Sequence, residues 1–124
     1  MTFALEWPDS EVRDVTAEGG SVRVRLAAAS VRDGEGRRGW LAGVTLSLAD
    51  STLSGDPAHA FGRLAEGRLR RDGRDIPTPS LPDTLDGDLA LSLRFANGTQ
   101  LTATARSLAL AVDDSTRFKE DLSC

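Results

Sequence analysis

His59 is the sole histidine of the chain, and Asp56 stands three residues before it in Gly55-Asp56-Pro57-Ala58-His59. A carboxylate at that spacing on a loop can hold an imidazole in one tautomer, which general acid–base chemistry requires of an Asp–His couple. The same couple on an open turn is only a solvated pair. The other parts of a catalytic set are missing: no Gly-x-Ser-x-Gly motif occurs, and the single cysteine, Cys124, stands at the last position, where nothing fixes its thiol. One His and one Cys also fall short of a tetrahedral zinc site without several carboxylates. No motif for a cofactor occurs, so none is expected.

Asp83, Asp86 and Asp88 lie close enough in sequence to gather oxygens around a hard cation. Leu85 interrupts them and the glutamate that closes a calcium loop is absent, so they read as a polar turn before a strand. Gly34, Gly36 and Gly39, with Arg37 and Arg38 between them, lack the following helix that a phosphate loop needs. A glycosidase would need two carboxylates across a cleft and aromatic rings for sugars to stack on, and the only wide rings are Trp7 and Trp40.

The densest basic cluster is Arg63, Arg68, Arg70, Arg71 and Arg74, offset by Glu66 and Asp72. On a strand Arg68 and Arg70 share one face, whereas Arg63 and Arg71 share the other. Arg68, Arg70 and Arg71 are candidate binding residues for an acidic surface or a phosphate, and equally charges that keep a strand edge from pairing. Aromatic interleaving of the kind that stacks bases is missing, so nucleic acid is disfavoured. Trp40, just after Arg37 and Arg38, has a core position as its plain reading. At a sheet rim the three would form the Trp and Arg anchor of a protein interface, and they complete the set of candidate binding residues.

The chain has 124 residues and a net charge of −4. That length suits one domain with a core that needs no disulfide, and a lone cysteine suits a reducing, cytoplasmic setting. Residues 75–124 carry eight acidic and four basic side chains, whereas residues 1–74 carry eleven of each. Glu6 and Asp9 break the apolar N-terminal stretch, which reads as neither a signal peptide nor a membrane span.

Two-residue periodicity governs the elements that would position these groups. Leu89, Leu91, Leu93 and Phe95 alternate before Asn97-Gly98, and Leu101, Ala103 and Ala105 alternate after it, so the segment reads as a hairpin. A two-residue turn would put the two apolar sets on opposite faces. A three-residue loop, Ala96-Asn97-Gly98 with Gly98 left-handed, opposes Leu93 with Leu101 and Leu91 with Ala103 and buries both sets together. Past Arg106 the apolar parity shifts to Leu108, Leu110 and Val112, which calls for an extra residue near Ser107.

Thr2 to Trp7 alternates and ends at Pro8, a first strand, after which residues 11–20 sustain no period. Val22, Val24 and Leu26 mark a second strand, running to about Ala29. Trp40, Ala42, Val44, Leu46 and Leu48 read as one long strand that forms a second hairpin with it. Phe61, Leu64, Ala65 and Leu69 have helical spacing, but Gly62 and Gly67 would each cost about 1 kcal/mol in a helix, so a strand is expected, turning at Asp72-Gly73. Pro77 to Pro82 is a stiff connection without ladder bonds. Phe118 and Leu122 are spaced for one C-terminal helical turn.

The expected fold is all-β: a single antiparallel sandwich or small barrel of seven to eight short strands over residues 1–124. The expected function is a small, acidic, non-enzymatic binding protein acting through a protein–protein interface, of the kind that includes bacterial and phage immunity and anti-defence inhibitors. The acidic C-terminal half or the Arg-rich strand would meet the partner, with a homodimer as the alternative assembly. The second choice is a small-molecule-binding β-barrel, with space left by Ala27, Ala28, Ala103 and Ala105. An enzyme using His59 and Asp56 is the third.

Overall fold

The computed structural model describes residues 2–113 and 116–121. Eleven strands form among them: β1 (Phe3–Glu18), β2 (Ser21–Arg32), β3 (Arg38–Leu41), β4 (Val44–Ala49), β5 (Thr52–Ser54), β6 (Gly62–Arg71), β7 (Arg74–Ile76), β8 (Ser80–Leu81), β9 (Asp83–Phe95), β10 (Gln100–Val112) and β11 (Phe118–Glu120). A single 3-10 turn, Pro57–His59, precedes β6. The ladder runs β2-β4-β10-β9-β6-β1 and returns to β2, so six antiparallel strands close a barrel. The short strands extend it at its edges: β3 and β11 beyond β2, β8 on β1, β5 on β10 and β7 on β6. No helix among the described residues is long and apolar enough to cross a membrane.

The β9–β10 hairpin takes the register that buries both apolar sets. Leu93 opposes Leu101 and Leu91 opposes Ala103, and the loop is the three residues Ala96–Gly98, with Gly98 at φ +91°. The Phe95 N–H donates to the Thr99 carbonyl at 2.9 Å across its base. The parity change past Arg106 also falls where expected, as a shift between Ala105 and Ser107. The extra residue belongs to the partner strand, however: Gly87 and Asp88 of β9 lie opposite Arg106 alone.

Four expectations are corrected. The first strand does not stop at Pro8. It bulges through Trp7–Ser10, with Asp9 at φ +70°, and resumes at Glu11, so residues 11–18 are strand. The run from Trp40 to Leu48 is two strands, β3 and β4, and the inward residue of β3 is Leu41, which leaves Trp40 half-buried on the other side. The proline-rich connection is not free of ladder bonds, since Ser80 and Leu81 pair with Ala4 and Phe3. The C-terminal segment is β11, hydrogen-bonded to β3, with Phe118 stacked on Phe3 at 5.5 Å. A segment this short gains more from an open strand edge than from an isolated helical turn, whose nucleation is unfavourable. Leu122 and Cys124 lie outside the described residues.

Leucines from all six strands fill the interior, among them Leu5, Leu26, Leu46, Leu64, Leu91 and Leu108, each contributing roughly 1.5–3 kcal/mol by leaving water. Ala103 and Ala105 belong to that interior, whereas Ala27 is exposed and Ala28 half-buried. The bulge in β1 is held by a hydroxyl. Ser10, fully buried, donates from Oγ to the Glu6 carbonyl at 2.8 Å and accepts the buried N–H of Ser30 at 2.9 Å, replacing the ladder bonds the bulge removes.

Replacing Ser10 with alanine strands the Ser30 N–H, and unfolding by urea should show a loss of about 1–3 kcal/mol with an unchanged m value. Gly67 opposes the Trp7 side chain so closely that an added Cβ would lie 2.6 Å from Trp7 Cγ. Gly67→Ala should therefore destabilise by a similar ~1–3 kcal/mol, and an unchanged midpoint would show that the seam can shift to accept a methyl.

Candidate functional site: the Phe61 end of the barrel

Asp56 caps the 3-10 turn. One carboxylate oxygen accepts the Ala58 N–H at 2.9 Å, and the other lies 2.6 Å from His59 Nδ1. The turn then delivers Ala60 into the core, fully buried, and Gly62 at φ +92°, a backbone a larger residue would resist. Between those two constraints Phe61 points outward. It is 51% exposed, the only large apolar side chain left so among the described residues.

Neighbouring loops fix the frame around it. The His59 carbonyl accepts from Asn97 Nδ2 at 3.1 Å, Asn97 Oδ1 accepts the Thr99 N–H at 2.9 Å, and the Ala96 N–H donates to the Arg63 carbonyl at 2.8 Å. The hairpin loop, the 3-10 turn and the start of β6 thus form one hydrogen-bonded platform. Arg63 lies opposite Glu11 and Gly62 opposite Val12 in the β1–β6 ladder, and Arg13 follows Val12 in β1. Arg13 is itself the extra residue of a bulge between Val12 and Asp14, the device by which strands re-aim a side chain.

The structure brings His59 and Asp56 together as the spacing suggests, but in the open, with side chains 71% and 56% exposed. No hydroxyl or thiol among the described residues bonds the imidazole, and water surrounds the pair where a general base would need a dry pocket. Asp83, Asp86 and Asp88 do not gather into a cation site; Asp88 pairs with Arg106 at 2.7 Å and Asp83 accepts the Thr84 N–H at 2.8 Å.

The arginines and Trp40 separate into two places. Arg68 and Arg70 stand on one face of β6 and share Asp75, at 2.9 and 3.4 Å. Arg71 ends the strand beyond them, opposite Leu89. Trp40 lies across from Ser30 and Lys119, with Arg38 and Arg32 paired one step along and Glu6 opposite Ser30. Glu6 bridges to both arginines, at 3.3 Å to Arg32 and 3.5 Å to Arg38. Arg37 is turned away into its own loop, where its Nε donates to Asp33 at 2.8 Å. Phe61 was the residue that spacing could not single out, because in the sequence it looks like the first apolar residue of β6. The signal that marks it is its neighbour Gly62.

Hydrogen bonds hold Asp33 and three further carboxyls below the ordinary range. Asp56 is lowered by His59 and then by the Ala58 N–H, Asp14 by Arg25, and Asp75 by Arg68 and the further charge of Arg70. Groups with depressed folded-state values stabilise fully above the unfolded carboxyl value of about 3.9 and lose that contribution as pH falls through the folded value. Side-chain NMR titration should show the Asp56 carboxyl rising toward its ordinary value in His59→Ala, with Asp75 unmoved; a static Asp56 would show that the 2.6 Å pair does not persist in solution.

Set against known proteins, the chain matches no family model, no curated protein and no solved structure.

Proposed function

We propose that this is a non-enzymatic binding protein that meets a protein partner through the Phe61 end of its barrel. The observation that carries this is one exposed phenylalanine held on a frame of hydrogen bonds, two residues before the exposed Arg63. Aromatic and arginine side chains are over-represented among the few residues that dominate binding energy. A frame already ordered before contact spares the roughly 0.5–1.5 kcal/mol that ordering each mobile side chain costs. The wide Asp56–His59 pair serves that frame as a brace.

An inhibitor that works by occupying another protein's surface, as immunity and anti-defence proteins do, needs no chemistry beyond such a face. The cytoplasmic setting suggested by the lone cysteine suits the same role. A small-molecule site within the barrel has less support, because leucine and phenylalanine side chains take up the interior and the clefts open on the outside.

The test is capture from the native cell extract with the intact protein, run beside Phe61→Ala and Arg63→Glu. A partner retained at micromolar concentration should be lost or weakened at least ~10-fold by Phe61→Ala, while stability stays within about 0.5 kcal/mol because the ring contributes little to the core. Recovery of no partner, or of the same partner equally well by both variants, would overturn the proposal.

A further inference from the structure

A second feature lies away from Phe61, where β1 and the β6–β7 hairpin part company. They leave a cleft of about 370 Å³ whose walls are mostly apolar: Trp7, Pro8, Leu69, Ile76 and Pro77. Gly67 keeps its floor open, since any side chain there would occupy the space taken by the Trp7 ring.

Two consecutive residues of this wall hold buried polar atoms with no hydrogen-bond partner. Trp7 is 3% exposed and its Nε1 donor is unmatched, and Glu6 Oε1, which lies 3.5 Å from Arg38 Nε in an ion pair, accepts no hydrogen bond. Buried donors and acceptors are satisfied in the great majority of cases, so an adjacent orphan of each kind points to a group that supplies both. The charges around the cleft are already balanced: Glu6 faces Arg32 and Arg38, and Arg68 pairs with Asp75. An ion entering here would meet no surplus of opposite charge.

We propose that the cleft is a binding site for a small uncharged molecule that carries a carboxamide beside a branched apolar body. Its carbonyl accepts from Trp7 Nε1, its N–H donates to Glu6 Oε1, and its apolar part lies against Pro8, Ile76 and Pro77. The indole stays seated on Gly67. The Glu6 carboxylate, whose side chain keeps about 25% of its surface, turns to admit the group. Occupancy here is independent of the Phe61 face, so either site can fail without the other.

The probe is N-acetyl-L-leucinamide, titrated into the full-length, nitrogen-15-labelled protein while the two indole N–H signals are followed. Trp40→Phe assigns them. The expected result is a saturable shift of the Trp7 signal with Trp40 static, binding roughly tenfold weaker in Trp7→Phe, and loss of binding in Thr78→Phe, which fills the cleft from its exposed rim without touching the core. N-acetyl-L-leucine, which replaces the primary carboxamide with a carboxylate next to Glu6, should bind at least about tenfold more weakly. No saturable shift at Trp7, equal binding of the carboxylate, or unchanged binding in Thr78→Phe would overturn the proposal; should Trp7→Phe fail to fold, the Thr78 variant decides alone.

Discussion

Five of the six junctions around the barrel are ladders of several register pairs, whereas β1 and β6 share only Glu11 with Arg63 and Val12 with Gly62. The ring nevertheless closes, because Trp7 lies on Gly67 where the ladder gives out. Burying an indole removes roughly 150–250 Å² from water, worth about 4–6 kcal/mol, against about 1 kcal/mol net for each backbone bond the seam lacks. An apolar contact can therefore take the place of about four to six ladder bonds. Three features accompany that substitution: position 67 must be glycine, Trp7 must keep the inward phase of Phe3 and Leu5, and Ser10 must answer the backbone groups that the bulge after Trp7 exposes. It also leaves an outward cleft above the contact, since a ladder would have filled that space with paired backbone.

Where the two-residue period was unbroken, strand, register and loop length could all be read from the residues, down to the pairing of Leu93 with Leu101. Where it broke, the cause was a bulge or, between Leu41 and Val44, a turn. Ala65 is an extra residue in β6, so it stands beside the inward Leu64 and four before the inward Leu69, which with Phe61 counterfeits helical spacing. Arg13 does the same between Val12 and Val15, which made residues 11–20 look structureless. A bulge is invisible to a periodicity argument because one inserted residue inverts the parity of all that follow. Only the β9–β10 hairpin revealed its bulge, since both strands were long enough to show the phase on either side. Even there the parity change was seen on β10 while the extra residue sat on β9, because register is a property of the pair.

The candidate site was less legible for a related reason. Which of two aromatic residues faces outward depends on parity at the start of a strand, and parity there is set by breaks. Trp40 takes its orientation from the turn at Ala42-Gly43, which puts Leu41 in phase with the core and Trp40 out of phase. Phe61 takes its orientation from Ala60 and the left-handed Gly62. Composition alone ranks tryptophan as the better interface anchor, yet Trp40 is partly covered, across from Ser30 and Lys119, whereas Phe61 remains open. The Asp56–His59 spacing was legible because it is local, and local geometry survives ignorance of register.

Charge behaves in the opposite way, being plain in the sequence and rearranged by the fold. The acidic excess of residues 75–124 suggests one acidic half, but β7 and β9 both pair with the basic strand β6 and β9 also pairs with β10, so Asp75 meets Arg68 and Arg70 while Asp88 meets Arg106. Arg25, Arg32, Arg38 and Arg94 likewise end beside a carboxylate from another strand, which leaves alternating charge there rather than a field of one sign. Exposed pairs of this kind contribute little stability, about 0–1 kcal/mol each. Their effect is on recognition: a partner cannot be drawn by a broad potential and must instead match local shape and hydrogen bonding, which concentrates specificity at the few places where apolar surface or unpaired polar atoms remain.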